Sequence, residues 1–435
     1  MSQPMVQDLS NVAEKANQTN RELAKRGQLL EALENLLVVE KQTRQAEDAT
    51  STTKIAIEII KLCFEAKRLD LINEKLVLLS KRRGQFRTTI SGIVQEAMTY
   101  VDQIAEKKAK LELIDTLRTI TDGKMFVENE RARLTRTLSK IYEDEGNIAE
   151  AAKILQDLQV ETYSSMEKAE KLEFFIEQMR LCMNNKDFIR AQLIANKVNR
   201  KTLVEEPHQD HKVRFYQQLI RYNTNETNYL EITRCYLHIY DTPSIQKDIE
   251  QLNANLKLAC VNVVLSPIGN EQSDLLNRIL GYKPLSNLPI YKALLEAFNT
   301  SELVRWTNFV EKFQKELNTQ KCFVGDKNCW TDLRNRVVEH NIRVVSTYYK
   351  RISTKRLAEL LDLTLDESEK FISDLVSNKT IFARIDRPAG IIQFVPPKDT
   401  STILNGWASD ISSLLELVEK TNHLIQREFM MNKVN

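Results

Sequence analysis

Glycine and proline are scarce in this sequence. Ten Gly and nine Pro stand among 435 residues, where average usage would place about 30 and about 20. So few backbone breakers leave little room for tight hairpins or long loops, and mostly helix is expected. Charge of one sign is lacking too. Sixty-two Lys and Arg face 60 Asp and Glu, a formal net charge of +2, so bulk electrostatics gives no drive toward nucleic acid or anionic membrane. Apolar runs are short. A stretch such as Ala259–Leu265 falls far below the ~20 residues of a membrane span. Residues 1–20 are polar, without the apolar core of a signal peptide, and read as a frayed tail of an intracellular protein. The six cysteines (Cys63, Cys182, Cys235, Cys260, Cys322, Cys329) include no C-x-x-C and read as buried reduced thiols.

Catalytic and cofactor signatures are missing as well. Neither a P-loop nor G-x-G-x-x-G occurs, so no loop cradles phosphate. There is no H-E-x-x-H, and no H-x-H pair to hold the metal of a zinc isopeptidase. His208 and His211 lie near Glu205, Glu206 and Asp210 in a Pro-containing polar stretch, which reads as a solvated linker rather than a metal site. His340 falls on the polar side of a helix pattern, at a surface or interface. Cys322 and Cys329 have no nearby histidine and read as packing or exposed thiols. A non-enzymatic chain without cofactor or metal is expected.

What is there, from Arg21 onward, is helix. Leu29, Leu30, Leu33, Leu36, Leu37 and Val38 make one apolar face; Ile55, Ile59, Ile60, Leu62 and Cys63 start another. A spaced pattern then emerges. Gly146-Asn147-Ile148 followed by Ala149, Ala151 and Ala152 is a tight turn and a small-residue helix face. Lys186-Asp187-Phe188 with Ala191 repeats it, and Thr227-Asn228-Tyr229 repeats it more weakly. The steps are close to forty, and Arg68–Ile72 sits near two further steps upstream. Two helices per unit at that period imply a right-handed solenoid of the tetratricopeptide or HEAT kind over residues 21–240. Residues 241–329 continue helical with turns at Asp241–Ser244, Leu265–Asn270, Lys283-Pro284 and Leu288-Pro289.

Residues 330–397 have a different order. Trp330, Leu333, Val337, Val338, Ile342, Val345, Tyr348 and Ile352 form one stripe at helical spacing. Ser353 caps a short helix carrying Leu357, Leu360 and Leu361. Thr364 and Glu367 read as a capping box for a helix with Phe371, Ile372, Leu375 and Val376 inward. Ile381–Ile385 and Ile391–Val395 are strand-like runs around the turn residues Asp386–Gly390. Three helices and a hairpin spell a winged helix. Its third helix exposes Asp366, Glu367, Glu369 and Asp374 against Lys370. That face repels phosphates, so protein contact is favoured over DNA reading. Arg334, Arg336, Arg343, Arg384 and Arg387 keep a nucleic-acid-binding alternative open. Residues 398–435 form a last helix with Leu404, Trp407, Ile411, Leu414, Val418 and Ile425 at alternating steps of three and four. Such a seam packs against other helices or folds back on its own winged helix.

Helical repeats, then a winged helix, then a terminal helix resemble the PCI-domain family of scaffold subunits, found in the proteasome lid, the COP9 signalosome and a translation initiation complex. Leu158–Met166, Val264–Asn270, Glu302–Trp306, Trp330–Arg343 and Arg387–Ile392 are similar to the proteasome-lid members, along nearly the whole chain from Arg21. The resemblance implies a mainly α fold and a non-catalytic structural subunit that supports assembly and ubiquitin-dependent proteolysis in cytoplasm and nucleus. It implies a hetero-oligomer whose partners are other PCI subunits and the MPN deubiquitinase pair, with the ATPase ring and core particle in reach, and neither nucleic acid nor membrane. The signalosome subunit is the alternative within the family. It further implies that neighbouring winged helices join by strand addition, which makes Ile381–Ile385 and Ile391–Val395 the candidate edges. Arg343, Ile381, Phe382, Ala383, Ile385, Arg387, Ile391, Ile392 and Phe394 are then the expected winged-helix interface. The seam from Leu404 to Ile425 is expected to enter a helical bundle.

Overall fold

The structure, a computed structural model, describes residues 10–104, 106–320, 323, 327–396 and 399–433. It divides into two compact units. One gathers the residues up to Thr227 with Asp241–Asp248; the other gathers Asn228–Tyr240 and the residues from Ile249 onward. Among the described residues no helix is long and apolar enough to cross a membrane.

The first unit is an array of helices: α1 (Ser10–Lys25), α2 (Leu29–Gln45), α3 (Ala49–Glu65), α4 (Leu69–Lys81), α5 (Arg87–Val101), α6 (Lys107–Thr121), α7 (Glu128–Asp144), α8 (Ile148–Gln156), α9 (Lys168–Asn184), α10 (Phe188–Lys197) and α11 (Gln209–Asn225). The tail expected over residues 1–20 is helical from Ser10, because Ala13 is buried where α1 packs on α2 and α3. Residues 1–9 lie outside the described residues. One turn recurs through the array. Gly27, Glu47, Lys67, Gly146 and Lys186 all adopt positive φ, between 55° and 90°. The following N–H reaches back five residues: Gln28 to Leu23, Asp48 to Thr43, Arg68 to Cys63, Asn147 to Tyr142 and Asp187 to Cys182. This is the left-handed helix stop that satisfies orphan carbonyls. In the later repeats it recurs at the forty-residue step, at Gly146 and Lys186. In the earlier ones Gly27, Glu47 and Lys67 place it every twenty residues.

Packing follows the same order. Leu33, Leu36, Ile55, Ile59, Leu76 and Leu79 are buried in one continuous core. Ala151, Ala152 and Ala191 are buried where paired helices meet, whereas Ala149 faces outward. Leu158, Val160, Tyr163 and Met166 seal the core between α8 and α9. Gln178 ties that segment down by donating to the Leu155 and Leu158 carbonyls at 2.9 and 3.2 Å.

The second unit holds α12 (Tyr229–Tyr240), which packs on α14 (Ile249–Leu265); the short α13 (Pro243–Lys247) belongs to the first unit. Then come α15 (Asn270–Leu280), α16 (Pro289–Asn299), α17 (Trp306–Leu317) and α18 (Lys327–Tyr348). The winged-helix module follows as β1 (Arg351–Ser353), α19 (Thr354–Leu361), α20 (Leu365–Ser377), β2 (Arg384–Asp386) and β3 (Ile391–Gln393). The last helix is α21 (Thr400–Lys433). Ser353 caps α19 and the Thr364–Glu367 capping box opens α20.

The strands depart from expectation. The long helix ends at Tyr348, which is 68% exposed, and Ile352 lies on a strand instead. The sheet has three strands in the order β1-β3-β2, all antiparallel. The run expected at Ile381–Ile385 narrows to Arg384–Asp386, and β3 is central. The expected run Ile391–Val395 narrows to Ile391–Gln393, which is not an edge, since it is paired on both sides. The free edges are β1 and β2. The row Ile352–Ile392–Ile385 faces the module core, because side chains alternate faces along each strand.

Candidate interaction surfaces

Several segments of the second unit meet on α18. Its Asn341 accepts from the Val304 N–H at 2.9 Å and donates to the Val304 carbonyl at 2.8 Å. His340, one residue earlier, lies 3.2 Å from the Glu302 carbonyl and packs edge-on to Phe298. His340, expected at a surface or interface, is 7% exposed, because residues 302–304 cover that side of the helix. Burial holds its imidazole below the usual pKa; the Arg343 charge adds to this, and the Glu302 carbonyl opposes it. Arg336 donates to the Leu265 carbonyl at 3.1 Å and pairs with Glu339. A cation there suits the last turn of α14, where carbonyls point out unpaired. Tyr229 donates to Asp332 at 2.7 Å, and burial pushes its phenol pKa up. Three stretches singled out separately in the sequence, around Leu265, Val304 and Arg336–Asn341, thus converge on one helix.

That helix carries the small sheet. Val338, Ile342 and Val345 share a core with Ile352, Leu357, Ile372, Ile392 and Phe394. Among the expected interface residues, Ile392 (2% exposed) and Phe394 (6%) are consumed by this core and are not available to a partner. Ile381, Ala383 and Ile385 are half-buried against it. Phe382 and Ile391 remain open to solvent, and so do Arg343 and Arg387. Arg387 is tied to Glu369 at 2.6 Å. The outward rows of the sheet are Arg351–Gln393–Arg384 and Ser353–Ile391–Asp386. Arg351 and Ser353 lie on β1, a strand the sequence did not reveal: three residues are too few to show alternation.

The second surface is α21. It spans 34 residues and none is buried. Leu404, Trp407, Ile411, Leu414, Val418 and Ile425 are all exposed, with Leu415, Leu417, Leu424 and Phe429 beside them. The apolar stripe is therefore broader than the two-position seam read from the sequence. The alternative in which the helix folds back on its winged helix is overturned, since such packing would bury part of that stripe.

Elsewhere the chemistry is structural. His208 is buried in a helical turn (Glu206–His208) leading into α11, 6.1 Å from the His211 ring; the expected solvated linker is not found. Among the described residues no three metal-capable side chains gather. Cys63, Cys182, Cys235, Cys260 and Cys329 are buried; burial pushes the Cys63 thiol up to about 11 and that of Cys260 up to about 12. Cys322 lies outside the described residues. A groove of about 510 Å³ in the first unit is lined by Arg133, Arg136, Lys140, Glu143, Glu177 and Arg180. Most of its charges are paired: Arg133 with Glu170, Arg136 with Glu173, and Arg180 with Glu143 and Glu177.

Comparison with known proteins bears on both surfaces. A family model described as PSMD12/CSN4, N-terminal, matches residues 31–248. The PCI domain model matches residues 294–395, and the 26S proteasome regulatory subunit RPN5 C-terminal domain matches 401–433. The 26S proteasome non-ATPase regulatory subunit 12 of Dictyostelium discoideum is 67% identical over 431 residues, covering 99% of this chain and 96% of that protein. Homolog B of that subunit in Arabidopsis thaliana is 43% identical, covering 94% and 98%. The 26S proteasome regulatory subunit RPN5 of Saccharomyces cerevisiae is 39% identical, covering 92% and 91%.

Proposed function

The chain belongs to the family of 26S proteasome non-ATPase regulatory subunit 12, the PCI-domain subunits of the regulatory-particle lid, and from that membership we propose that α21 and the winged-helix sheet are the surfaces that hold it in the particle. Its function is that of a structural lid subunit. Assembly with other proteasome subunits follows from membership. The finer reading is ours: the contacts are with other PCI subunits and the MPN deubiquitinase pair, with the ATPase ring and core particle within reach. The chain itself carries no catalysis and works in cytoplasm and nucleus.

One observation carries the proposal: α21, a helix of 34 residues with no buried residue and a broad apolar stripe. An apolar helix in water is costly, and each Leu-sized side chain buried contributes about 1.5–3 kcal/mol. The six residues from Leu404 to Ile425 amount to on the order of 10 kcal/mol before ordering costs are subtracted. Leu415, Leu417 and Leu424 widen the stripe beyond what one neighbour covers, which fits a bundle of several helices.

Truncation after Asp399 tests this. The shortened chain, expressed in cells beside the full-length one, is expected to keep its helical circular dichroism and its melting transition. It is expected to be absent from proteasomes purified through a core-particle tag. Incorporation at the full-length level sinks the role given to α21.

A further inference from the structure

The outward face of the winged-helix sheet combines features that the fold does not use. Arg351, Gln393 and Arg384 stand side by side across β1, β3 and β2. Arg351 and Arg384 are exposed, and neither has a carboxylate partner among the described residues. The third arginine nearby, Arg387, is engaged by Glu369. The one carboxylate in the two outward rows, Asp386, accepts from the Ala389 N–H at 3.3 Å within its own turn. Beside this row, two residues along β3 from Gln393, Ile391 is 41% exposed. Together these residues line a shallow depression of about 710 Å³.

We propose that this face seats an acidic amphipathic helix of a neighbouring subunit, with carboxylates two turns apart and an apolar residue between them. The proposal rests on the chain being built into a multi-subunit particle. Strands two apart place the Arg351 and Arg384 backbones about 10 Å from each other. Two turns of α-helix, i to i+7, cover nearly the same span. A helix crossing the strands presents its i and i+7 carboxylates to the two guanidinia, whose planar forks bind carboxylate bidentately. Its i+3 side chain, which projects to one side of the line from i to i+7, then reaches toward Ile391 in the next row. Gln393, midway, offers an amide to a polar group on the same helix face. A nucleic acid fits less well. Phosphate tracking needs more cations than two, and the adjacent α20 carries Asp366, Glu369 and Asp374.

The test places photo-reactive benzoylphenylalanine at position 391 of the full-length chain. Proteasomes are purified through a core-particle tag and irradiated, and the captured peptide is sequenced by mass spectrometry. Capture of a subunit peptide with Asp or Glu at i and i+7 is expected. The double change Arg351→Gln and Arg384→Gln is expected to lower capture at least about tenfold, since each charge-assisted pair contributes roughly a tenfold factor or more. Arg356→Gln, on the neighbouring helix, is expected to leave it unchanged. If the double Gln variant melts early, Arg351→Lys with Arg384→Lys replaces it and an intermediate loss is expected. Capture of a peptide without paired carboxylates, capture of RNA, absence of capture, or insensitivity to both double variants overturns the proposal alone. A chain that does not co-purify with the core particle overturns the assembly reading beneath it as well, and is recognised before irradiation.

Discussion

Asn341 joins two segments 37 residues apart through both polar groups of one peptide residue. Removing its side chain leaves the half-buried Val304 N–H and carbonyl without these partners. Asn341→Ala is expected to cost about 2–4 kcal/mol, seen as a lower melting temperature with the secondary structure intact. His340 beside it makes stability depend on pH. Its folded pKa lies below the unfolded one, so the folded state binds fewer protons. The stabilisation is therefore present above the unfolded value of about 6.5 and is lost as pH falls below it toward the folded pKa. Between pH 7 and pH 5 the parent chain is expected to lose more melting temperature than His340→Gln. An equal loss in both contradicts the assignment. The sequence pattern put His340 on the polar side of α18, and that much holds, as Asp332, Arg336 and Glu339 share the side. Periodicity has no knowledge of a segment arriving from residues 302–304 to cover it.

At the scale of elements, the capping signals were legible because their chemistry is local. Ser353, Thr364 and Glu367 bond backbone groups within three residues. The repeated helix stop was legible at Gly146 and invisible at Glu47 and Lys67, where the sequence offers no glycine. Gly146 at φ 82° has open space around an added Cβ, so its substitution measures conformation alone. Gly146→Ala is expected to destabilise by about 1 kcal/mol, and Thr227→Gly, relieving a β-branched residue at φ 55°, to stabilise by a similar amount. Paired melting curves read both; a Thr227→Gly chain less stable than its parent contradicts backbone strain at that position. The sheet was the least legible element. β1 is a strand because β3, some forty residues later, pairs with it. Ile352 looks the same from the sequence whether it closes a helix stripe or fills the inner row of a sheet. That ambiguity misplaced the free edge, and with it Ile392 and Phe394 among the expected contacts.

At the scale of the molecule, the two units divide the work. In the first, the arginines lining its groove are paired with carboxylates contributed by α7 and α9. The second leaves material unused, namely two strand edges, an arginine-bearing sheet face and a wholly exposed apolar helix. Surfaces of that kind are a liability in a free chain and an asset in an assembly. The scaffold reading was open to the sequence through the resemblance of its motifs to the PCI-domain family; helical periodicity and missing catalytic motifs agree with it without specifying it. The facing of each contact was not, because it depends on strand pairing and coverage. The most direct measurement is the native size of the chain in cell lysate, with mass spectrometry of what migrates with it. Co-migration with ATPase and core-particle subunits is expected. Migration in a smaller complex without ATPases, or alone, contradicts assembly of this chain into the proteasome.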